Sequence, residues 1–200
     1  MSSLAAGLVL AGGHGRRAGG PKALKIIDGE LLWRAQVRRL QDAGVAPIVA
    51  VLHPSAAEGA GALDFPGRIE VADADRPMFA SLQQGLRALI DHDAPVVMHP
   101  VDAGVPALAT IEALLNAMAG LEPNQQVKVM RPLLVDGEEA GRRGHPIVLM
   151  PDFCAELLAM DGDAGRLDHV IAALRTDHAL DVPTSDAAIR ANYNFDGIAK

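Results

Sequence analysis

The stretch that decides the fold is Leu4-Ala5-Ala6-Gly7-Leu8-Val9-Leu10, followed by Ala11-Gly12-Gly13-His14-Gly15-Arg16-Arg17-Ala18-Gly19-Gly20-Pro21-Lys22. The first seven residues are apolar at both odd and even positions, apart from Gly7. A strand of that kind is buried on both faces, as strands of a covered parallel sheet are. The following loop holds five glycines and the cations Arg16, Arg17 and Lys22. Glycines let the backbone turn tightly and bring its N–H groups against a ligand, and fixed positive charge beside them favours phosphate. The opening Met1–Leu10 has no Lys or Arg before its apolar run. It reads as a first strand and not as a targeting segment.

Working outward, the same alternation repeats. Ala46–Leu52, Ile69–Val71, Pro95–His99, Val127–Met130 and Ile147–Met150 read as further strands. Helical spacing is expected over Glu30–Ala43, Pro77–Ile90, Ala107–Ala119, Asp152–Met160 and Arg166–Leu174. In the first of these Leu32, Trp33, Gln36, Val37 and Leu40 share one side, with Gly44 placed to end the helix. Strand–helix alternation predicts an α/β fold of three layers around a mostly parallel sheet. With no repeat or linker in the sequence, residues 1–200 are read as one domain, and Arg131–Arg143 as an irregular excursion from the sheet. Ligands of such sheets sit at the carboxyl ends of the strands, near a switch in strand order.

Composition narrows the function classes. The chain has 200 residues, half of them apolar, and a net charge of −7. Only 3% are aromatic, which disfavours base stacking on rings, and the negative charge disfavours a nucleic-acid backbone as partner. One cysteine, Cys154, excludes a disulfide within the chain. No apolar run approaches the ~20 residues of a membrane span. The expected location is the cytoplasm, with no nucleic-acid or membrane partner.

Three anion-loop patterns compete for the glycine-rich segment. Gly13-His14-Gly15-Arg16-Arg17-Ala18 fits the spacing of a dinucleotide fingerprint, but Ala18-Gly19-Gly20-Pro21 forbids the helix that must follow, and no acid ends the second strand. A P-loop fails because Lys22 is preceded by an extra proline and followed by no hydroxyl. The third pattern is L-A-x-G-x-G/S-x-R-M-G-x-P-K, with which Leu10, Ala11, Gly13, Gly15, Arg17, Gly19, Pro21 and Lys22 fall in register, Ala18 replacing the methionine. The segment thereby resembles the signature of the nucleotidyltransferases, and further segments resemble the MobA-like branch, above all its molybdenum cofactor cytidylyltransferases. These are Leu31-Leu32-Trp33-Arg34, Met78-Phe79-Ala80-Ser81-Leu82-Gln83-Gln84-Gly85-Leu86, Gly141-Arg142-Arg143-Gly144-His145-Pro146 and the stretch from Glu156 to Arg166.

The resemblance implies a Rossmann-like fold of the nucleotide-diphospho-sugar transferase type and transfer of NMP from an NTP to a phosphorylated acceptor. The acceptor it favours is a molybdopterin-type cofactor, the base cytosine, with GTP as the other candidate. It implies nucleotide binding by Leu10, Ala11, Gly12, Gly13, His14, Gly15, Lys22 and Ser81, and catalysis by Arg17, Lys22 and Asp102. Arg142, Arg143 and His145 are the residues expected to hold the acceptor. Mg²⁺ is expected on Asp102 and Asn194, the latter standing where relatives have a carboxylate. Each position also has a plainer reading: Asp102 as a turn or helix cap, Ser81 and Gln83 as solvated residues at a helix start, Arg142 and Arg143 as a solvated basic turn. His53 and His99 end strands and read as structural. A sugar-1-phosphate or alcohol-phosphate acceptor, or a nucleotide-binding module without turnover, stays open.

Overall fold

The computed structural model of the chain describes residues 3–16, 19–60 and 65–193. In chain order it runs β1 (Ala6–Ala11), β2 (Ile26–Ile27), β3 (Glu30–Leu31), α1 (Leu32–Asp42), β4 (Ile48–Leu52), α2 (Pro54–Ala60) and β5 (Arg68–Val71). There follow α3 (Met78–Ala88), β6 (Val96–Pro100), α4 (Leu108–Ala119), β7 (Val129–Leu134), β8 (Ile147–Leu149), α5 (Pro151–Ala159), α6 (Leu167–Ala172) and β9 (Ala179–Thr184).

All six residues of β1 are buried, and side-chain alternation divides them between two cores. Val9 and Ala11 face one cluster with Trp33, Val37 and Leu40 of α1 and Ile111 and Leu114 of α4. Ala6, Leu8 and Leu10 face the other, with Phe79, Leu82 and Leu86 of α3, Phe153 and Leu157 of α5 and Leu167 of α6. Helix α1 ends as expected at Gly44 (φ 77°), whose N–H reaches Gln41 O at 2.8 Å while Val45 N–H reaches Leu40 O at 3.0 Å. This is the paired bonding that an αL residue after a helix provides.

The seven-stranded sheet has the order β5-β4-β1-β6-β8-β7-β9, and every neighbouring pair is parallel except those of β8, which is antiparallel to both β6 and β7. The chain goes from β1 out to β4 and β5 on one side, then returns to place β6 on the other. The switch point therefore lies between the carboxyl ends of β1 and β6, where Leu10 pairs with Pro100. Among the described residues no helix is long and apolar enough to cross a membrane.

Three features differ from the sequence reading. Helix α1 starts at Leu32, because Glu30–Leu31 pairs with Ile26–Ile27 as a two-residue hairpin. Arg131–Arg143 is not an excursion throughout: β7 continues to Leu134 and pairs with β9 along its length, and the chain leaves the sheet only after that. Finally, β9 and α2 are additional elements. The first has only one buried residue in six, and the second is built from small residues, so neither carries a strong apolar period.

Candidate active site

The switch point is built from two chain segments. Beyond β1, the loop folds on itself: Gly20 N–H donates to Gly15 O at 3.1 Å, and Gly15 holds φ +59°. A Cβ at Gly15 would collide with the Gly20 carbonyl, so only glycine fits both the dihedral and the space. Pro21 then opens a single 3₁₀ turn, Lys22–Leu24, which presents Lys22. Beyond β6 comes Asp102. Lys22 Nζ stands 3.3 Å from Asp102 Oδ2, with the two side chains 20% and 41% exposed.

Around this pair lies a cavity of about 220 Å³ lined by Leu10, Gly12, Gly13, Gly15, Lys22, Ser81 and Asp102. Ser81 and Met78 bring the first turns of α3 to its wall, so that a helix N-terminal region adds N–H groups and positive potential for an anion. A Cβ on Gly12 would lie 3.2 Å from Ser81 Oγ, which is how closely the loop approaches α3. The neighbouring Gln83 is not solvated: it is buried and donates from Nε2 to Leu157 O and Met160 O, both at 2.8 Å. Ala11 is buried in the core of the sheet. His14 reaches away along the loop, with Nε2 2.9 Å from Asp75 Oδ1 and Nδ1 3.3 Å from Nε2 of His53, whose Nδ1 is 2.9 Å from Ser55 Oγ. Arg17 and Asn194 lie outside the described residues; Tyr193, before the latter, donates its backbone N–H to Asp102 O at 2.8 Å.

Among the described residues there is no group of three His, Cys, Asp or Glu side chains that could hold a metal. Asp102 is a lone hard carboxylate at a strand end, beside a cavity fit for phosphate. Mg²⁺ is commonly held by one or two carboxylates plus substrate phosphates and water, and Asp102 fits that mode.

A second cavity of about 560 Å³ adjoins the first and shares Met78 and Pro100 with it. Arg131, Arg143, Arg166, Arg190 and His145 meet on its wall, against Asp168 as the single carboxylate among the described residues, while Phe79, Met98 and Ile147 supply an apolar side. Asp181 of β9 holds two of these arginines, with Arg131 Nη2 at 2.8 Å and Arg143 Nη2 at 2.7 Å. Partial burial pushes the Asp181 carboxyl up, but the hydrogen bonds and charges of Arg143 and Arg131 outweigh that and hold it below the usual range. Arg190 donates from Nη1 to Arg143 O at 2.8 Å, and its buried Nε has no hydrogen-bond partner. His145 Nδ1 is likewise buried and unpartnered.

Burial pushes His145 down to about 4; the charge of Asp102 works against this and that of Arg190 with it. His99 is pushed down to about 3 by burial and by His145, with its hydrogen bond to Gly104 opposing. Its Nε2 lies 3.1 Å from Gly104 O and donates to it, which leaves Nδ1 as the bare nitrogen of a neutral ring. His99 is structural, as expected.

The fold thus brings Arg143 and His145 together and leaves Arg142 out of both cavities. It adds Arg76 to the first cavity and Arg131, Arg166 and Arg190 to the second, none of which the sequence reading selected. Arg166 closes the Gly162-Asp163-Ala164-Gly165-Arg166 segment and was within reach of the motif. Arg190 carries no local signal at all.

This architecture is the nucleotide-diphospho-sugar transferase fold of nucleotidyltransferases. A nucleotidyl transferase from Methanothermobacter thermautotroptrophicus superposes with a TM-score of 0.72 at 22% identity, covering 98% of this chain and 94% of that one. Rv0371c from Mycobacterium tuberculosis H37Rv gives 0.71 at 20% identity, with 92% and 89% covered; its manganese complex gives 0.70 at 20%, with 91% and 89% covered. More particularly, residues 7–179 match the MobA-like NTP transferase domain, and the chain belongs to that family. A probable molybdenum cofactor guanylyltransferase from Opitutus terrae is 50% identical over 50 residues; the match spans a quarter of each chain.

Proposed function

We propose that this chain transfers a nucleoside monophosphate from an NTP to a small phosphorylated acceptor of the molybdopterin type. The observation that carries the reading is the adjacency of the two cavities. One is lined by the glycine-rich loop, Lys22 and Asp102, the other by four arginines, and they meet at Met78 and Pro100.

An acceptor phosphate oxygen attacks the α-phosphorus in line, a new P–O bond forms, the α–β bridge bond breaks, and pyrophosphate leaves. An ionised phosphate needs no strong base, so positioning and charge stabilisation do the work. Backbone N–H groups of Gly12, Gly13, His14 and Gly15 cradle the phosphates, with Leu10, Ala11 and Ser81 shaping the site. Lys22 and Arg17 oppose charge on the triphosphate and on the leaving pyrophosphate. Arg143 and His145, joined by Arg131, Arg166 and Arg190, hold the acceptor, and Arg142 adds positive charge at the flank. Asp102 and Asn194 are the residues that would hold Mg²⁺, which when bound neutralises charge on phosphate oxygens. We place the reaction in the cytoplasm, on residues 1–200 as one domain.

The base has support in two directions. The Gly144-His145-Pro146 resemblance favours cytosine; the relative from Opitutus terrae favours guanine. Pyrophosphate release measured with CTP, GTP, ATP and UTP against molybdopterin and against simple sugar and alcohol phosphates decides both base and acceptor. Release with molybdopterin and either CTP or GTP is the expected result. Release only with a sugar phosphate reassigns the acceptor, and nucleotide binding without release from any pair makes the chain a binding module.

A further inference from the structure

Arg76 stands in the connection between β5 and α3, and its side chain lines the first cavity, the one that also holds Lys22 and Asp102. Its Nε donates to Asp163 Oδ1 at 2.9 Å, with Arg76 47% and Asp163 64% exposed. Asp163 belongs to the loop that joins α5 to α6. That loop is fastened to α3 without the ion pair. Gln83, buried, donates to Leu157 O and Met160 O, and Gly165 lies so close to Phe79 that a Cβ there would collide with the ring. The Arg76–Asp163 contact is therefore not what docks the loop, and an ion pair this exposed holds weakly.

We propose that Arg76 is a further triphosphate-binding cation, stored on Asp163 in the unliganded protein and transferred to the NTP phosphates when nucleotide enters. This rests on the nucleotide site proposed above. A guanidinium presents a planar fork of donors that matches phosphate oxygens, and a triphosphate offers it more charge and more acceptors than one solvated carboxylate. Lys22 reaches the phosphates from the glycine-rich loop; Arg76 reaches them from the α3 side of the same cavity. Asp163 is then a competitor of the nucleotide for Arg76, and the two residues have opposite effects on affinity.

The test is calorimetric titration of the full chain with CTP and with GTP in the presence of Mg²⁺, accompanied by thermal denaturation. Arg76→Ala weakens nucleotide binding about tenfold or more, and Arg76→Lys restores part of it. Asp163→Asn tightens binding about two- to fivefold, the worth of the exposed pair it removes. A merely structural bridge gives a different pattern, in which Arg76→Ala and Asp163→Asn lower the melting temperature together and weaken binding alike. That pattern, or unchanged affinity in either variant while the wild type binds nucleotide, overturns the role of Arg76 and leaves the nucleotide site standing. A wild-type chain that binds neither nucleotide overturns the site and this inference with it.

Discussion

Lys22 Nζ lies 3.3 Å from Asp102 Oδ2, a contact between residues 80 apart in sequence that joins the glycine-rich loop after β1 to the end of β6. The two strands are parallel neighbours at the switch point of the sheet, so both side chains arrive at one cavity from separate backbones. Lys22→Ala and Asp102→Ala should each lower kcat by about 10²–10³, the usual loss when a group that stabilises transition-state charge is removed. Steady-state pyrophosphate release checks this, with melting temperature as the control for folding. Turnover near that of the wild type in both variants removes the assignment.

Gly15 makes a second, local test. Its φ of +59° and the Gly20 carbonyl facing it leave no room for a side chain. Gly15→Ala is expected to cost about 1–3 kcal/mol through backbone strain and to weaken NTP binding by displacing the loop. At Gly13 a Cβ would meet nothing within 4 Å, so Gly13→Ala should leave the denaturation midpoint almost where it was. Equal destabilisation by both substitutions contradicts the account of the loop.

The buried histidines predict acid sensitivity. His99 and His145 are held neutral, at about 3 and about 4. In the unfolded chain both titrate near 6.5, so below that pH the unfolded state binds protons the folded state refuses. Stability is fully present above about 6.5 and is lost as pH falls toward the folded values, by roughly 2 kcal/mol per histidine at pH 5. Urea midpoints at pH 7.5 and pH 5.0 measure this. His99→Asn should reduce the drop by about half, and a midpoint that does not move with pH rules the explanation out.

The arginine wall of the second cavity offers a test that tells the proposed acceptor site from the nucleotide site. Arg143→Ala removes a guanidinium beside His145 and leaves Asp181 with Arg131 alone. The expected result is a KM for the phosphorylated acceptor raised about tenfold, with the KM for NTP little changed. A rise confined to the NTP would place the acceptor elsewhere.

Much of this was legible in the sequence because it is local. A run apolar on both faces specifies a buried strand, as β1 is; Gly44 ends α1 through its own dihedral; the glycines, Pro21 and Lys22 define a loop by their spacing. Asp102 was selected through the resemblance of its segment to the family's, and it stands two residues past Pro100, the last residue of β6. The second cavity could be read only in part. Arg143 and His145 belong to one segment, but Arg131 lies on β7, Arg166 begins α6 and Arg190 follows β9. Strand β9 itself was hidden, since an edge strand with one buried residue shows little alternation.

The amino-acid sequence by itself determined the parallel α/β layering and the glycine-rich loop, as consequences of periodicity and local backbone chemistry, while Lys22 and Asp102 were singled out by their resemblance to the family's motifs. Tertiary structure decided that these two residues meet, that Arg76 stands with them and is ion-paired to Asp163, and that four arginines from distant elements line one wall of a second cavity. The physical reason is sheet order. Pairing β6 beside β1, and β7 between β8 and β9, is settled by long-range packing and hydrogen bonding, and no spacing along the chain encodes which strand ends become neighbours.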